Sequence, residues 1–283
     1  MILTTVGITK IDEMKIGYLQ YSPEFGEVEK NLDRVEWMLE SCNADLIVLP
    51  ELFNTGYVFT SPDEARNLAE EIPGGKTVER LSAIARRKKL HIVAGLAEKC
   101  DSRIFNSAAL ITPEGLGGRY RKIHLYSEEK LWFTPGDQSF EVYDIGVCRI
   151  GIMICFDWFF PESMRALALM GADVICHPAN LVLPFCQSAM VTRCLENRVF
   201  AITANRIGTE DRGNGKSLSF TGKSQITGVN GTVLRSGSET DEEIWTVAID
   251  ISQSRDKRLN PLNDLFEDRR PEYYGRLTDS KIR

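Results

Sequence analysis

The stretch RIGIMICFDWFFPES (149–163) constrains this chain more than any other. Ile150 to Ile154 is almost wholly apolar and rich in β-branched residues, the composition of a buried strand. The run stops at Cys155. Pro161 then sits where it suits the first turn of a helix, and MRALALM continues with helical periodicity. Cys155 is therefore expected at the C-terminal tip of a buried strand, just ahead of a helix, where open α/β sheets keep their chemistry. A nearby helix N-terminus also favours the thiolate. Read from this stretch alone, Cys155 serves equally well as a small buried hydrophobe, as most free cysteines do.

Composition removes several classes of function. The net charge of −6 argues against a general nucleic-acid binder, which would show a basic excess. No apolar run approaches the roughly 18–20 residues that span a bilayer, and MILTTVGITKIDEMK lacks the long apolar core of a secretory signal. The seven cysteines form no C-x-x-C pair, so they read as reduced thiols in a cytoplasmic protein. The three histidines show no H-x-x-x-H spacing and no adjacent cysteine pair, so neither a structural nor a catalytic zinc is expected.

In chain order, strands are predicted at 14–22, 44–51, 91–99, 104–112, 140–145, 148–155, 172–180 and 200–206. SFTGKSQIT (219–227), GTVLRS (231–236) and EIWTVAID (243–250) finish the series. Helices are predicted at 27–42, 64–71, 77–89, from Pro161, and at about 186–198. Residues 115–126 read as a Gly-led turn into a short strand bearing Lys122, and 128–137 as a loop with a Pro-Gly turn. Strand–helix units bracket hairpin-like strands, with no linker or repeat. One α/β domain over 1–283 is the simplest organisation, with helices covering stacked sheets. The charged and aromatic tail, about 260–283, reads as an arm packing on a partner subunit or as a frayed end.

Two phosphate-loop look-alikes fail. GNGKS (213–217) and TGKS (221–224) lack the required first glycine, and those positions hold Glu210 and Ser217. GLGG (115–118) precedes a strand-like stretch rather than a helix, so it is no dinucleotide fingerprint. His177 suits either a Cys–His pair with Cys155 or a buried strand-end histidine with its own hydrogen-bond partner. What remains is three polar residues at or near strand tips: Glu51, Lys122 and Cys155. A thiol needs a base, which a partly buried glutamate supplies. A lysine beside the thiol stabilises the negative charge that forms on attack.

At these residues the chain resembles the nitrilase superfamily, the carbon–nitrogen hydrolases. LPELFNTGY (49–57), YRKIHLY (120–126), EEKLWFTPGD (128–137), ICFDWFFPES (154–163) and HPAN (177–180) carry the resemblance, which spans about 14–275. It implies a four-layer α-β-β-α sandwich that commonly pairs through the Cys-bearing region into an eight-layer dimer. It implies a Glu–Lys–Cys triad on Glu51, Lys122 and Cys155, a second glutamate on Glu129, and an oxyanion donor in the Phe156 backbone N–H. No metal or organic cofactor is implied. Phe156-Asp157 after the cysteine looks like the amidase and carbamoylase branches, where nitrilases usually carry Trp-Glu. Trp158 and Phe159 stand where carbamoylases often place arginines, which disfavours an N-carbamoyl amino acid and suggests a small acyl group against an aromatic wall. The same two rings also suit the core or an interface. Tyr57, Trp158 and Asn180 are the candidate substrate contacts. Arg193 and Asn197, one helical turn apart, reach either the pocket or the interface. The expected reaction is hydrolysis of a small aliphatic amide to acid and ammonia through a thioester. A nitrilase is the alternative; an N-carbamoyl hydrolase, an acyltransferase and a non-catalytic scaffold stand behind it.

Overall fold

A computed structural model describes residues 13–213, 215–279 and 281. Most of the N-terminal stretch tested for a signal (1–12), Asn214 of GNGKS, and 280, 282 and 283 of the arm lie outside the described residues.

The chain opens with β1 (Glu13–Gln20), α1 (Val28–Glu40) and β2 (Leu46–Val48), followed by α2 (Pro62–Leu68) and α3 (Lys76–Lys88). An antiparallel meander comes next: β3 (His91–Cys100), β4 (Arg103–Thr112) and β5 (Gly115–Arg121). After α4 (Glu129–Trp132) come β6 (Val142–Asp144), β7 (Arg149–Ile152), α5 (Pro161–Leu169), β8 (Val174–Pro178), α6 (Cys186–Asn197) and β9 (Phe200–Ala204). A hairpin of β10 (Thr209–Asp211) and β11 (Ser217–Ser219) precedes β12 (Gln225–Thr227), β13 (Val233–Ser236) and β14 (Glu243–Asp250). The tail holds α7 (Ser252–Arg255) and a small hairpin of β15 (Arg258–Asn260) and β16 (Asn263–Asp264).

Two six-stranded sheets result, in the orders β14-β1-β2-β3-β4-β5 and β13-β12-β9-β8-β7-β6. Each has a parallel trio, β1-β2-β3 or β7-β8-β9, flanked by antiparallel strands. Period-two alternation decides which face goes where. In the first sheet Met14, Ile16, Tyr18, Leu46, Val48 and Val93 point into the core shared by both sheets. Their neighbours Leu19, Ile47, Leu49, Ile92 and Ala94 point the other way, onto α1 and α3. Those helices answer with one apolar face each: Leu32, Val35, Met38 and Leu39, and Val78, Leu81, Ile84 and Ala85. On the outer side of the second sheet, Met164 and Leu167 of α5 and Met190 and Cys194 of α6 join the core. The architecture is the expected four-layer α-β-β-α sandwich.

Local departures from the sequence reading matter for the site. The strand expected over 148–155 ends at Ile152, and Cys155 opens a single 3-10 turn, Cys155–Phe159. Lys122 lies one residue beyond β5 rather than on it. The expected loop at 128–137 contains the helical turn α4. SFTGKSQIT is not one strand: β11 ends at Ser219 and β12 starts at Gln225, separated by a bend at Gly222 with φ +58°. Among the described residues, no helix is long and apolar enough to cross a membrane.

Candidate active site

Four sequence-predicted residues meet between the two sheets. Glu51 leaves the first sheet three residues after β2, and Lys122 leaves it directly after β5. Glu129 is the first residue of α4, and Cys155 follows β7 of the second sheet. Lys122 Nζ donates to Glu51 Oε1 at 2.6 Å and to Glu129 Oε1 at 2.8 Å. Tyr57 Oη donates to the same Glu129 oxygen at 2.7 Å, and the Tyr126 N–H reaches Glu129 Oε2 at 3.2 Å. Asn106 Nδ2 donates to Glu51 Oε1 at 2.7 Å. The second Glu51 oxygen is buried and has no hydrogen-bond partner among the described residues. Cys155 Sγ points toward the Asn180 carbonyl at 3.7 Å, and Asn180 Nδ2 donates to the Glu51 carbonyl at 2.8 Å. A single polar cluster thus links the loops of both sheets.

The turns that carry these groups are sharp. Cys155, Leu52 beside Glu51, and Ser127 ahead of Glu129 adopt φ of +40°, +49° and +47°. Such left-handed conformations are uncommon for non-glycine residues and cluster where a side chain must be aimed. Gly95 on β3 makes room for the Glu51 turn: a Cβ there would stand 2.6 Å from Glu51 Cα.

Burial governs the charges. It pushes the Cys155 thiol well above its ordinary value, Glu51 and Glu129 push the same way, and Lys122 opposes them. These influences hold the thiol toward its protonated form, against the pull toward the thiolate that a nearby helix N-terminus exerts. Burial also raises Glu129 to about 7, against the lowering effect of Lys122 and the Tyr57 hydrogen bond. For Lys122, burial favours the neutral amine, but Glu129, Glu51 and Cys155 together hold the ammonium well above its usual value. His177 is not paired with the thiol. Its Nε2 donates to the Cys155 carbonyl at 2.9 Å, its Nδ1 meets Thr203 Oγ1 at 3.1 Å, and burial lowers it to about 4, so the ring is neutral. Among the described residues, no three His, Cys, Asp or Glu side chains converge to hold a metal ion.

A pocket of about 20 Å³ beside Cys155 is walled by Phe156, Trp158, Asn180 and the 181–183 segment. It shares Tyr126 and Val182 with a larger cleft of about 270 Å³, lined by Tyr57, Glu129, Trp132 and the tip of the β10–β11 hairpin. Trp158 and Asn180 thus face the pocket and Tyr57 the cleft. Phe159 is half exposed and packs at a tilt against Trp158 and Phe156. Arg193 and Asn197 do not line the pocket or the cleft: Arg193 pairs with Glu196, and Asn197 Nδ2 donates to the Arg193 carbonyl.

Comparison with known proteins identifies the family. The family model for carbon-nitrogen hydrolases matches residues 15–258. The chain belongs to the carbon–nitrogen hydrolase family. The hydrolase is 49% identical over 266 residues to a protein of Pyrococcus abyssi named nitrilase, covering 93% of this chain and 100% of that one. It is 34% identical over 271 residues to an (R)-stereoselective amidase of a Pseudomonas species, covering 94% and 95%. The crystal structure of a carbon-nitrogen hydrolase from Helicobacter pylori superposes with a TM-score of 0.86 at 27% identity, covering 95% and 100%. This hydrolase accordingly acts on carbon–nitrogen bonds.

Three supporting residues of the hydrolase were missed in the sequence. Asp157 is fully buried under the Cys155 turn. It accepts from the Ile154 N–H at 2.8 Å, Tyr120 Oη at 2.8 Å, the His124 N–H at 3.2 Å and His124 Nδ1 at 2.7 Å. It therefore fastens the nucleophile turn to the segment that carries Lys122. Asn106 orients Glu51, and its carbonyl receives the Lys122 N–H at 2.8 Å. Glu210 grips the Tyr57 backbone. Apart from Ile154 for Asp157 and Arg206 for Glu210, their side-chain partners lie more than 10 residues away along the chain, so no local pattern flags them. The one local signal was that Asp157 follows Cys155 by two residues.

Proposed function

We propose that this hydrolase uses Cys155 to cleave a small, uncharged aliphatic amide to a carboxylic acid and ammonia. The observation that carries the reading is the Lys122 ammonium shared by Glu51 and Glu129, acting on a protonated thiol beside an apolar pocket. A protonated thiol needs a base, and the unpartnered Glu51 Oε2 is suited to that task.

In the proposed scheme the thiol proton passes to Glu51 as the Sγ–C bond forms. The carbonyl electron pair moves onto oxygen, which Lys122 and the Phe156 N–H stabilise. The C–N bond then breaks, nitrogen takes the proton from Glu51, and ammonia leaves a thioester. Water attacks that carbon and gives a proton to Glu51. The acid departs as the Cys155 sulfur takes that proton back. Glu129 holds Lys122 in place, and Trp158, Asn180 and Tyr57 contact the substrate. The scheme uses no metal or organic cofactor.

A second reading, hydrolysis of small aliphatic nitriles, is favoured by the 49% identical relative that bears the name nitrilase. The same thiol would then form a thioimidate. Ammonia release from a panel of small amides, ω-amides, N-carbamoyl compounds and nitriles separates the readings. Amide turnover is expected; release from nitriles alone would overturn the amide assignment. A hydroxamate formed on adding hydroxylamine would reveal acyl transfer. A folded protein silent on the whole panel would favour a scaffold.

We also propose that two copies of this single domain pair through the α5–α6 side. Phe159, Met170, Phe185 and Leu195 are exposed there, and Leu262, Tyr273 and Leu277 of the arm are exposed as well. The arm would pack on the partner subunit. Light scattering is expected to give twice the chain mass, and Phe185→Asp to lower it; a monomeric wild type at micromolar concentration would overturn the pairing.

A further inference from the structure

Glu210, five residues ahead of the Gly-Lys pair of GNGKS, makes no phosphate loop, but the fold gives that position a task. Glu210 lies on β10 and is buried, as is Arg206. Arg206 Nη1 donates to Glu210 Oε2 at 2.6 Å, its Nη2 donates to the Pro23 carbonyl at 3.2 Å, and its guanidinium lies 4.0 Å from the centre of the Phe220 ring. The Glu210 carboxylate accepts the Tyr57 N–H at 3.1 Å and 3.2 Å and also accepts the Val58 N–H. Gly56, with φ +83°, lets the carboxylate come this close: a Cβ there would stand 2.9 Å from Glu210 Oε2. Arg212, from the same hairpin, donates to the Val58 carbonyl at 3.1 Å. The hairpin therefore grips one short segment from both its N–H and its carbonyl sides. The side chain that leaves this segment is Tyr57, whose hydroxyl donates to Glu129 at 2.7 Å.

We propose that Glu210, buried against Arg206, is a positioning residue for the reaction. It seats the Tyr57 segment so that the Tyr57 hydroxyl holds Glu129 against Lys122. The proposal rests on the reading that Glu129 serves the Cys155 chemistry. A buried ion pair is a costly way to anchor a loop by itself, since desolvation offsets much of its attraction. Its geometric value is that a carboxylate accepts two adjacent backbone N–H groups and fixes their direction. Misplacement of a catalytic contact by a fraction of an ångström then becomes a loss of rate.

The test compares Glu210→Gln, Glu210→Asp, Tyr57→Phe and the Glu210→Gln/Tyr57→Phe double variant. Glutamine keeps the length without the charge. Aspartate keeps the charge opposite Arg206 but retracts from the two N–H groups, and it carries the test should the glutamine variant fail to fold. The readouts are kcat, KM, the pH profile of kcat/KM, and the rate at which iodoacetamide labels Cys155. The groups facing Glu129 are Lys122, Glu51, Tyr57 and Cys155. Of these, the Tyr57 hydrogen bond favours the ionised Glu129 carboxyl. Its loss therefore moves the acid limb to higher pH. We expect each Glu210 variant to lower kcat about tenfold and to shift the acid limb in the same direction as Tyr57→Phe. The double variant is expected to be no slower than its slower parent, because both changes break one linkage.

A lower melting temperature with an unmoved pH profile would overturn the proposal, as would losses that multiply in the double variant. Labelling keeps the two readings apart. If Glu129→Gln leaves the labelling rate unchanged, the role of Glu129 fails and this proposal falls with it. If Glu129→Gln changes the rate and neither Glu210 variant does, only the role of Glu210 fails.

Discussion

Replacing Cys155 with alanine is expected to lower ammonia release by at least about 10⁴-fold on every substrate the wild type accepts, the scale set by removal of a covalent nucleophile. The physical case is local. Cys155 is the thiol on which both Glu51 and Lys122 act, and it stands against the pocket walled by Phe156 and Trp158. Cys176, Cys186 and Cys194 are buried with their thiols held above the ordinary value by desolvation, and none lines the pocket or the cleft. No neighbouring sulfur is placed to take over. The exchange removes one atom, and the φ of +40° at this position weighs on alanine as it does on cysteine. The turn itself is held by Asp157 through the Ile154 N–H and by His177 through the Cys155 carbonyl, contacts that do not use the thiol. The variant should therefore melt close to the wild type while its activity disappears. Ammonia assays and thermal melts run in parallel check both halves. Activity within tenfold of wild type would assign the chemistry to another group.

Lys122→Met is expected to cost both rate and stability, by about 10³-fold and about 3–5 kcal/mol. Lys122 is 1% exposed and donates to two carboxylates that are themselves buried. A methionine of similar length fills the space but leaves Glu51 and Glu129 facing each other with no cation between them. The loss should depend on pH, and its sign follows from Glu129. That carboxyl already sits at about 7 because of burial, and Lys122 is the leading influence that lowers it. Without the lysine it rises further above the value of an unfolded chain. A carboxyl raised in the folded state contributes stability that is present below the unfolded pKa and is lost as pH rises through the folded pKa. The gap between variant and wild type should therefore be small near about pH 5 and widen toward about pH 8. Urea unfolding at both values reads it. A gap of equal size at both would show that Lys122 acts through packing rather than charge.

The sequence by itself placed the buried strands, which end three residues short of Glu51 and Cys155. Buried parallel strands read as apolar runs, and in ADLIVLPE and RIGIMIC the run breaks where a polar side chain must leave the core. That break marked Glu51 and Cys155; Lys122 was read near another strand tip, and Glu129 entered only through the resemblance to the carbon–nitrogen hydrolases. It also determined the helical faces of α1 and α3, whose apolar stripes are local patterns. Only the tertiary structure decided what surrounds those four residues. Asn106 lies 55 residues from Glu51, Asp157 lies 33 from His124, and Glu210 lies 153 from Tyr57. In one dimension each is an ordinary polar residue in a strand or loop, and its partner carries no mark. Hydrogen bonds are decided by distance and direction in space, whereas periodicity records only which face of an element is buried. The upward push on the Cys155 thiol belongs to the same category. A helix start in the sequence suggests a lowered thiol, but desolvation and two nearby carboxylates, visible only once the sheets are packed, outweigh it.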